Sequence, residues 1–352
     1  MNQAQSGVEA FVGKMVGEMG AILNAPLVLI GDRLGIYKTL NRIGPATVTR
    51  LAQSTKLDER YLREWLAAQA ASDYVTYNEK DETFSLSPEQ AMVFAQDDSP
   101  FFMPGAFEVA AAMFADEPKI SDAFLTGKGV GWHEHDARLF RGTERFFRPG
   151  YAANLVSSWL PALEGVVPKL EKGARVADVG CGHGASTLLM AKAFPKSEFI
   201  GFDYHLPSIA RARQLAQEAG LSNRVTFETG SAKDFPGERF DLVAFFDCLH
   251  DMGDPAGAAR HVHSTLAKDG TWMIVEPLAH DKFQQNLNPV GRVYYAASTM
   301  VCTPASRAQE VACCLGAQAG EARLREIVFE GGFSHMRRAT ETPFNMVLEA
   351  RP

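Results

Sequence analysis

Two hydrophobic rhythms divide the chain. Over roughly residues 1–95 apolar positions recur at helical spacing: "NAPLVLIGDRLGIYKTL", "TVTRLAQSTKL" and "DERYLREWLAAQAASDYV" each predict an amphipathic helix. "VTYNEKDETFSLSPE" then alternates like two short strands around a charged turn, which completes a winged-helix pattern. Residues 96–170 are irregular, with aromatic clusters in "SPFFMPGAF" and "ERFFRPGYAANLVSSWLPAL", and read as a helical connecting region.

From 171 to 352 strands alternate with helices. "ARVADVG", "EFIGFDY", "RVTFETG", "FDLVAFFD" and "TWMIVEP" predict five short strands. Between them "ASTLLMAKAF", "LPSIARARQLAQEAG" and "DPAGAARHVHSTLAKDG" predict helices, the last opened by Asp254 as N-cap with Pro255 in the first helical position. This succession makes a doubly wound, mostly parallel α/β sheet, with ligands at the carboxyl ends of its strands. The tail "EARLREIVFEGGFSHMRRATETPFNMVLEA" predicts a helix and two strands joined by "ETP", an antiparallel pair closing one sheet edge.

Composition narrows the partners. The 352 residues are 46% hydrophobic and 22% charged, and the net charge of -7 offers no long-range attraction to phosphate backbones or anionic lipid. The helix that would enter a DNA groove, "DERYLREWLAAQ", has no basic excess, and its wing "NEKDETF" is net acidic, so nucleic acid is disfavoured. The apolar stretch "AILNAPLVLI", about ten residues interrupted by Asn24 and Pro26, reads as too short for a bilayer. Five cysteines in no paired pattern fit a reducing cytoplasm.

"VADVGCGHGAST" places Gly180, Gly182 and Gly184 between a strand and a helix, where backbone approaches a ligand closely. Asp203 closes the second strand, where an acid accepts hydrogen bonds from ribose hydroxyls, and Asp178 precedes the glycines. A dinucleotide fingerprint is G-x-G-x-x-G, and Ala185 stands at its third glycine; spacing alone leaves NAD open. A carboxylate repels a pyrophosphate but attracts an ammonium or sulfonium, so S-adenosylmethionine suits Asp178 better.

"VADVGCGHG", "FIGFDYHLPSIARAR", "FDLVAFFDCLHDMGDP" and "LAKDGTWMIVEP" resemble the successive motifs of class I S-adenosylmethionine-dependent methyltransferases. With its winged-helix start the chain is similar to the small-molecule O-methyltransferase group. The resemblance implies a seven-stranded sheet and a homodimer formed through N-terminal helices. It places Gly180, Gly182, Gly184 and Asp178 beside the methionine and ribose moieties, and Asp203 on the ribose diol. Ser231 and Ala232, with Phe246 and Asp247, would flank the adenine; the acid common after the third strand is Ser231 here, with Asp234 a substitute. Phe147 and Tyr151 resemble the residues that cover the cofactor.

"CLHDMGDP" resembles the family's "HDW" stretch and puts His250 at the general base's position, with Met252 where tryptophan is usual. A neutral imidazole takes a hydroxyl proton near neutral pH. Asp251 orients that ring or caps the next helix, and capping is favoured. His133, His135 and Asp136 lie in one short loop, "GWHEHD", without a distant fourth ligand; the expectation is no metal, and an acceptor-pocket contribution or a solvated loop. Tyr294 and Tyr295 line the acceptor pocket or pack in the core, and Cys302 reads as a small buried hydrophobe. The expected activity is methyl transfer to a small-molecule acceptor at oxygen. The same cofactor fold with methylation at carbon or nitrogen or another reaction, and a winged-helix DNA-binding regulator with a cofactor-sensing domain, are the rival readings.

Overall fold

The computed structural model describes residues 3–352. The chain separates into two compact units, one with residues up to Ala111 plus Arg141–Pro149, the other with Ala112–Phe140 and Gly150–Pro352. The connecting region expected at 96–170 is therefore not a body of its own. Its residues are shared out between the two units, along the helices Pro104–Thr126 and Arg138–Asn154.

The first unit is the winged helix. Helices Gln3–Arg33, Ile36–Ile43, Val48–Thr55 and Glu59–Ala71 precede strands β1 (Thr76–Asn78) and β2 (Thr83–Ser85), which pair antiparallel. Thr47 and Asp58 cap the third and fourth helices by accepting from Arg50 N and from Arg60 N and Tyr61 N. Tyr37, Leu40, Leu51, Trp65 and Leu66 form the core. The helix read from Asn24 onwards is in fact two, because Gly35 turns the chain with φ of 66°. Asn24 and Pro26 do not interrupt the first of these, whose Asn24 Oδ1 accepts from Gln69 Nε2 at 2.6 Å. By length and composition that helix is long and apolar enough to cross a bilayer, against the ten-residue reading. Arg60 pairs with Glu64 and Arg63 with Glu59, so the bases on the helix that would enter a DNA groove already have acidic partners. Arg145 binds Asp32 at 2.8 and 3.0 Å and also Glu108.

The second unit is built on strands β3 (Arg175–Val179), β4 (Glu198–Asp203), β5 (Val225–Thr229), β6 (Phe240–Phe246), β7 (Leu266–Pro277), β8 (His335–Glu341) and β9 (Asn345–Arg351). Their order is β5-β4-β3-β6-β7-β9-β8, with the first five parallel and β9 antiparallel to both neighbours. The interior of β3, β6, β7 and β9 is almost continuously buried, as expected of strands covered by helices on both faces. The helix capped by Asp254 stops at Thr265 rather than running to Gly270. Leu266 already pairs with Phe240, and the register then skips, so that Thr271 is opposite Leu242. The residues between form an irregular start to β7, where a Cβ on Gly270 would lie 2.7 Å from the Phe240 carbonyl oxygen. The strand order switches at β3, with β4 added on one side and β6 on the other, and this opens the crevice in which an α/β sheet binds its ligands.

Candidate active site

The glycine loop spans that crevice. Gly180 N and Cys181 N donate to Phe202 O at 2.8 and 3.1 Å, fastening the loop to the end of β4. Gly182 N donates to Asp203 Oδ2 at 2.9 Å, and His205 N donates to Asp203 Oδ1 at 2.8 Å. Gly184 is left-handed, with φ of 79°, and a Cβ there would come within 2.4 Å of the Phe227 ring. Gly182, with φ of 52°, would point a Cβ into open space. Gly184 thus serves packing, while Gly182 presents bare backbone outward.

Asp178 lies behind the loop. Its Oδ2 accepts from Ser186 Oγ and Thr187 Oγ1, both at 2.6 Å, while its buried Oδ1 has no partner. Burial pushes its carboxyl up to about 6, against the pull of those two hydroxyls. A buried carboxylate with one unsatisfied oxygen calls for a further hydrogen-bond donor. Asp203, half-buried, is likewise raised by burial.

Beyond β5, Ser231 and Ala232 are half-buried, and Ser231 N and Oγ both donate to Asp234 Oδ1. These bonds lower the Asp234 carboxyl pKa and commit that exposed side chain to the turn. At the end of β6, Phe246 is buried 5.3 Å from the Tyr151 ring. Asp247 has φ of 50° and accepts from Tyr151 Oη at 2.7 Å and from Asn345 Nδ2 at 2.8 Å. It ties three segments together instead of offering a free oxygen. Burial, with Glu276 adding to it, raises its carboxyl to about 7.

His250 stands on the turn Leu249–Asp251 after β6 and is buried. Its Nδ1 meets Glu276 Oε2, and Glu276 Oε1 accepts from Leu249 N at 2.9 Å. Its Nε2 lies 3.2 Å from Asp251 Oδ1. Burial disfavours the charged ring, but the Glu276 and Asp251 carboxylates outweigh it and raise the imidazole pKa. Asp251 is not the helix cap, since Asp254 takes that role by accepting from Gly257 N at 2.8 Å. The imidazole, the Asp251 carboxylate and the Cys302 thiol each offer an atom within 4.8 Å of the other two.

Residues 170–331 match the family model for a methyltransferase domain, and residues 23–96 that for an Rv2258c-like winged helix-turn-helix domain. This later part of the chain is a methyltransferase domain. Its relatives include the uncharacterized methyltransferase YcgJ of Bacillus subtilis, 32% identical over 121 residues, which are 32% of this chain and 47% of the relative. The chain spans less than half the length of the curated relatives it matches. Two solved structures share the whole fold, each with a TM-score of 0.70 and 15% identity. An O-methyltransferase family protein from Burkholderia thailandensis aligns over 97% of this chain and 98% of its own. Human N-acetylserotonin methyltransferase, in complex with SAM, aligns over 100% and 98%.

Other expected residues divide around the methyltransferase domain. Within it, Tyr294 is buried and donates to Phe344 O at 2.8 Å, whereas Tyr295 is half-buried with its ring 6.0 Å from Phe283. Before it, His135 is interior with Nδ1 2.9 Å from Asp116 Oδ2 and a buried, unpartnered Nε2, whereas His133 faces solvent. Phe147 belongs to the first unit, 5.0 Å from Phe146. Glu276 and Asn345 were not singled out from sequence. A lone acid inside the buried strand "TWMIVEP" was the available signal, because such a group requires a partner.

Proposed function

We propose that the protein transfers a methyl group from S-adenosylmethionine to an oxygen of a small, partly apolar acceptor. The observation that carries this reading is the unpartnered Asp178 Oδ1 behind a glycine loop anchored on Asp203. A cofactor ammonium completes the first carboxylate, and the remaining lone pairs of Asp203 accept ribose hydroxyls. Ser231, Ala232 and Phe246 wall the adenine. When bound, the cofactor supplies an electrophilic methyl on a sulfonium.

The chain's own residues prepare the acceptor. Glu276 fixes the His250 ring through Nδ1, so a proton leaving the acceptor hydroxyl arrives at Nε2, on the side of Asp251. Holding the acceptor in line with the methyl supplies much of the remaining rate. His135 and Tyr294 contribute to the acceptor side. Assembly is as a dimer through the first helix, whose Val8, Phe11, Val12, Met15, Val16 and Met19 form an exposed stripe at three- and four-residue spacing.

Isothermal titration with S-adenosylmethionine and its demethylated product tests the cofactor half. Binding by wild type that weakens in Asp178→Asn supports it, and no binding by wild type overturns it. For the acceptor half, labelled cofactor with a panel of phenols and alcohols should give O-methyl products in wild type. His250→Ala should bind the cofactor unchanged and make none.

A further inference from the structure

His135 and Asp116 form a second carboxylate–imidazole pair, separate from that of His250 and Glu276. Both side chains are buried, and His135 Nδ1 stands 2.9 Å from Asp116 Oδ2. Two further donors fix the carboxylate: Asp136 N donates to the same Oδ2 at 2.9 Å, and Lys119 Nζ donates to Oδ1 at 2.7 Å. The Lys119 ammonium balances the carboxylate charge, so the ring meets it as a neutral donor with its proton on Nδ1. That leaves a lone pair on Nε2. This nitrogen is shielded from solvent and has no hydrogen-bonding partner. Such an atom costs free energy until a donor reaches it.

The segment carrying His135 lies against both ends of the site. On one side Val130 N donates to Pro304 O at 3.1 Å, and a Cβ on Gly129 would fall 2.0 Å from Ala308 N, so the segment rests directly on the helix Thr303–Arg307. That helix continues the π turn ending in Cys302, whose thiol is within 4.8 Å of the His250 imidazole and the Asp251 carboxylate. On the other side the Phe140 ring stacks on His205 with centroids 4.4 Å apart, and His205 N donates to Asp203. The unpaired nitrogen is therefore carried between the general base and the acid assigned to the ribose.

We infer that His135 Nε2 accepts a hydrogen bond from a second hydroxyl of the acceptor, so that the substrate class is a diol. One hydroxyl faces His250 and is methylated; the other is held by His135. The inference deepens the proposed O-methylation and rests on its acceptor site. Asp116 is a positioning residue, because holding Nδ1–H fixes the tautomer in which Nε2 accepts. An acceptor with a single hydroxyl leaves that buried nitrogen unpaired and is discriminated against for that reason.

The experiment compares the isomeric dihydroxynaphthalenes with the two naphthols on full-length protein saturated with the demethylated cofactor. Calorimetric titration should show a diol binding at least about tenfold more tightly than either naphthol. His135→Asn retains an amide donor for Asp116 but has no atom at the Nε2 position; it should abolish the preference while naphthol and cofactor affinities stay unchanged. His135→Gln, whose amide oxygen reaches that position, should restore part of it. In turnover with S-adenosylmethionine, His135→Asn should raise KM for the diol about tenfold and leave kcat nearly unchanged. No diol preference in wild type, or an undiminished one in His135→Asn, overturns the inference. The two failures are distinguishable: O-methylation that treats diols and naphthols alike removes the second-hydroxyl contact alone, and a His135-dependent diol preference without any O-methyl product removes the methyl-transfer reading.

Discussion

Gly182 N donates to Asp203 Oδ2 at 2.9 Å, so the acid assigned to the ribose also holds the loop that approaches the cofactor. Removing that carboxylate loses a ligand contact and loosens the loop together. Asp203→Ala is expected to weaken cofactor binding by at least about 30-fold, roughly 2 kcal/mol, in line with the loss of charge-assisted hydrogen bonds. Calorimetric titration checks it, and a change below threefold would contradict the assignment.

The neighbouring glycines separate binding from stability. Gly184→Ala must place a methyl against the Phe227 ring in a left-handed conformation, and should lower stability by about 2 kcal/mol or more. Gly182→Ala meets nothing in the protein, so it carries only the conformational cost of about 1 kcal/mol and should chiefly reduce cofactor affinity. Urea unfolding and titration, run on both variants, should rank them in opposite orders.

Cofactor affinity should depend on pH through Asp178. Its carboxyl is raised to about 6 by burial, and a cationic ligand binds the ionised form. Affinity is expected to be level above pH 7 and to fall roughly tenfold per unit well below pH 6, with proton release on binding in that range. Asp178→Asn should bind weakly at every pH and lose the slope. In the unliganded fold the sign reverses: the neutral carboxyl contributes stability below its unfolded value of 3.8, and this is lost as pH rises through about 6. The melting temperature of Asp178→Asn relative to wild type should therefore increase between pH 5 and pH 8.

His250 takes a proton only when neutral, and its carboxylate neighbours raise its pKa. Turnover should accordingly increase as pH rises and the ring loses its proton. Glu276→Gln removes one of those carboxylates, and the rising limb of its pH–rate profile should move to lower pH while the maximum rate drops. An unmoved limb would detach Glu276 from the ring's protonation.

The apolar stripe of the first helix should govern assembly. Met15→Glu combined with Met19→Glu places charges among exposed apolar residues, so the fold should persist while the dimer dissociates. Light scattering after size exclusion reads the mass, and a wild-type monomer at micromolar concentration would remove the dimer.

Much of this architecture was legible because its signals are local. Asp254 followed by Pro255 marks a helix start within two residues, and the glycine run joins a strand to a helix without reference to the rest of the chain. The acceptor side was not legible for the same reason. Glu276 meets His250 only because β7 pairs with β6 after a register skip, and Cys302 arrives through a π turn that no apolar periodicity announces. With Asp251 and Asp254 both near one helix start, sequence favoured the wrong role for Asp251, since either acid satisfies the capping pattern. The early end of the helix at Thr265 was hidden because "LAKDG" has a polar composition compatible with a helix terminus.

Arg145 bears on how the chain can be divided. Its guanidinium joins Asp32 and Glu108, yet it is reached only after the backbone has left the first unit at Ala111 and come back at Arg141. No single cut yields two intact halves. A fragment ending near residue 96, where the winged-helix match stops, would leave Asp32 without its counterion and lack the segment that supplies it. Exchange of this winged helix between related chains would therefore have to carry Arg141–Pro149 with it, as a discontinuous graft rather than a simple fusion.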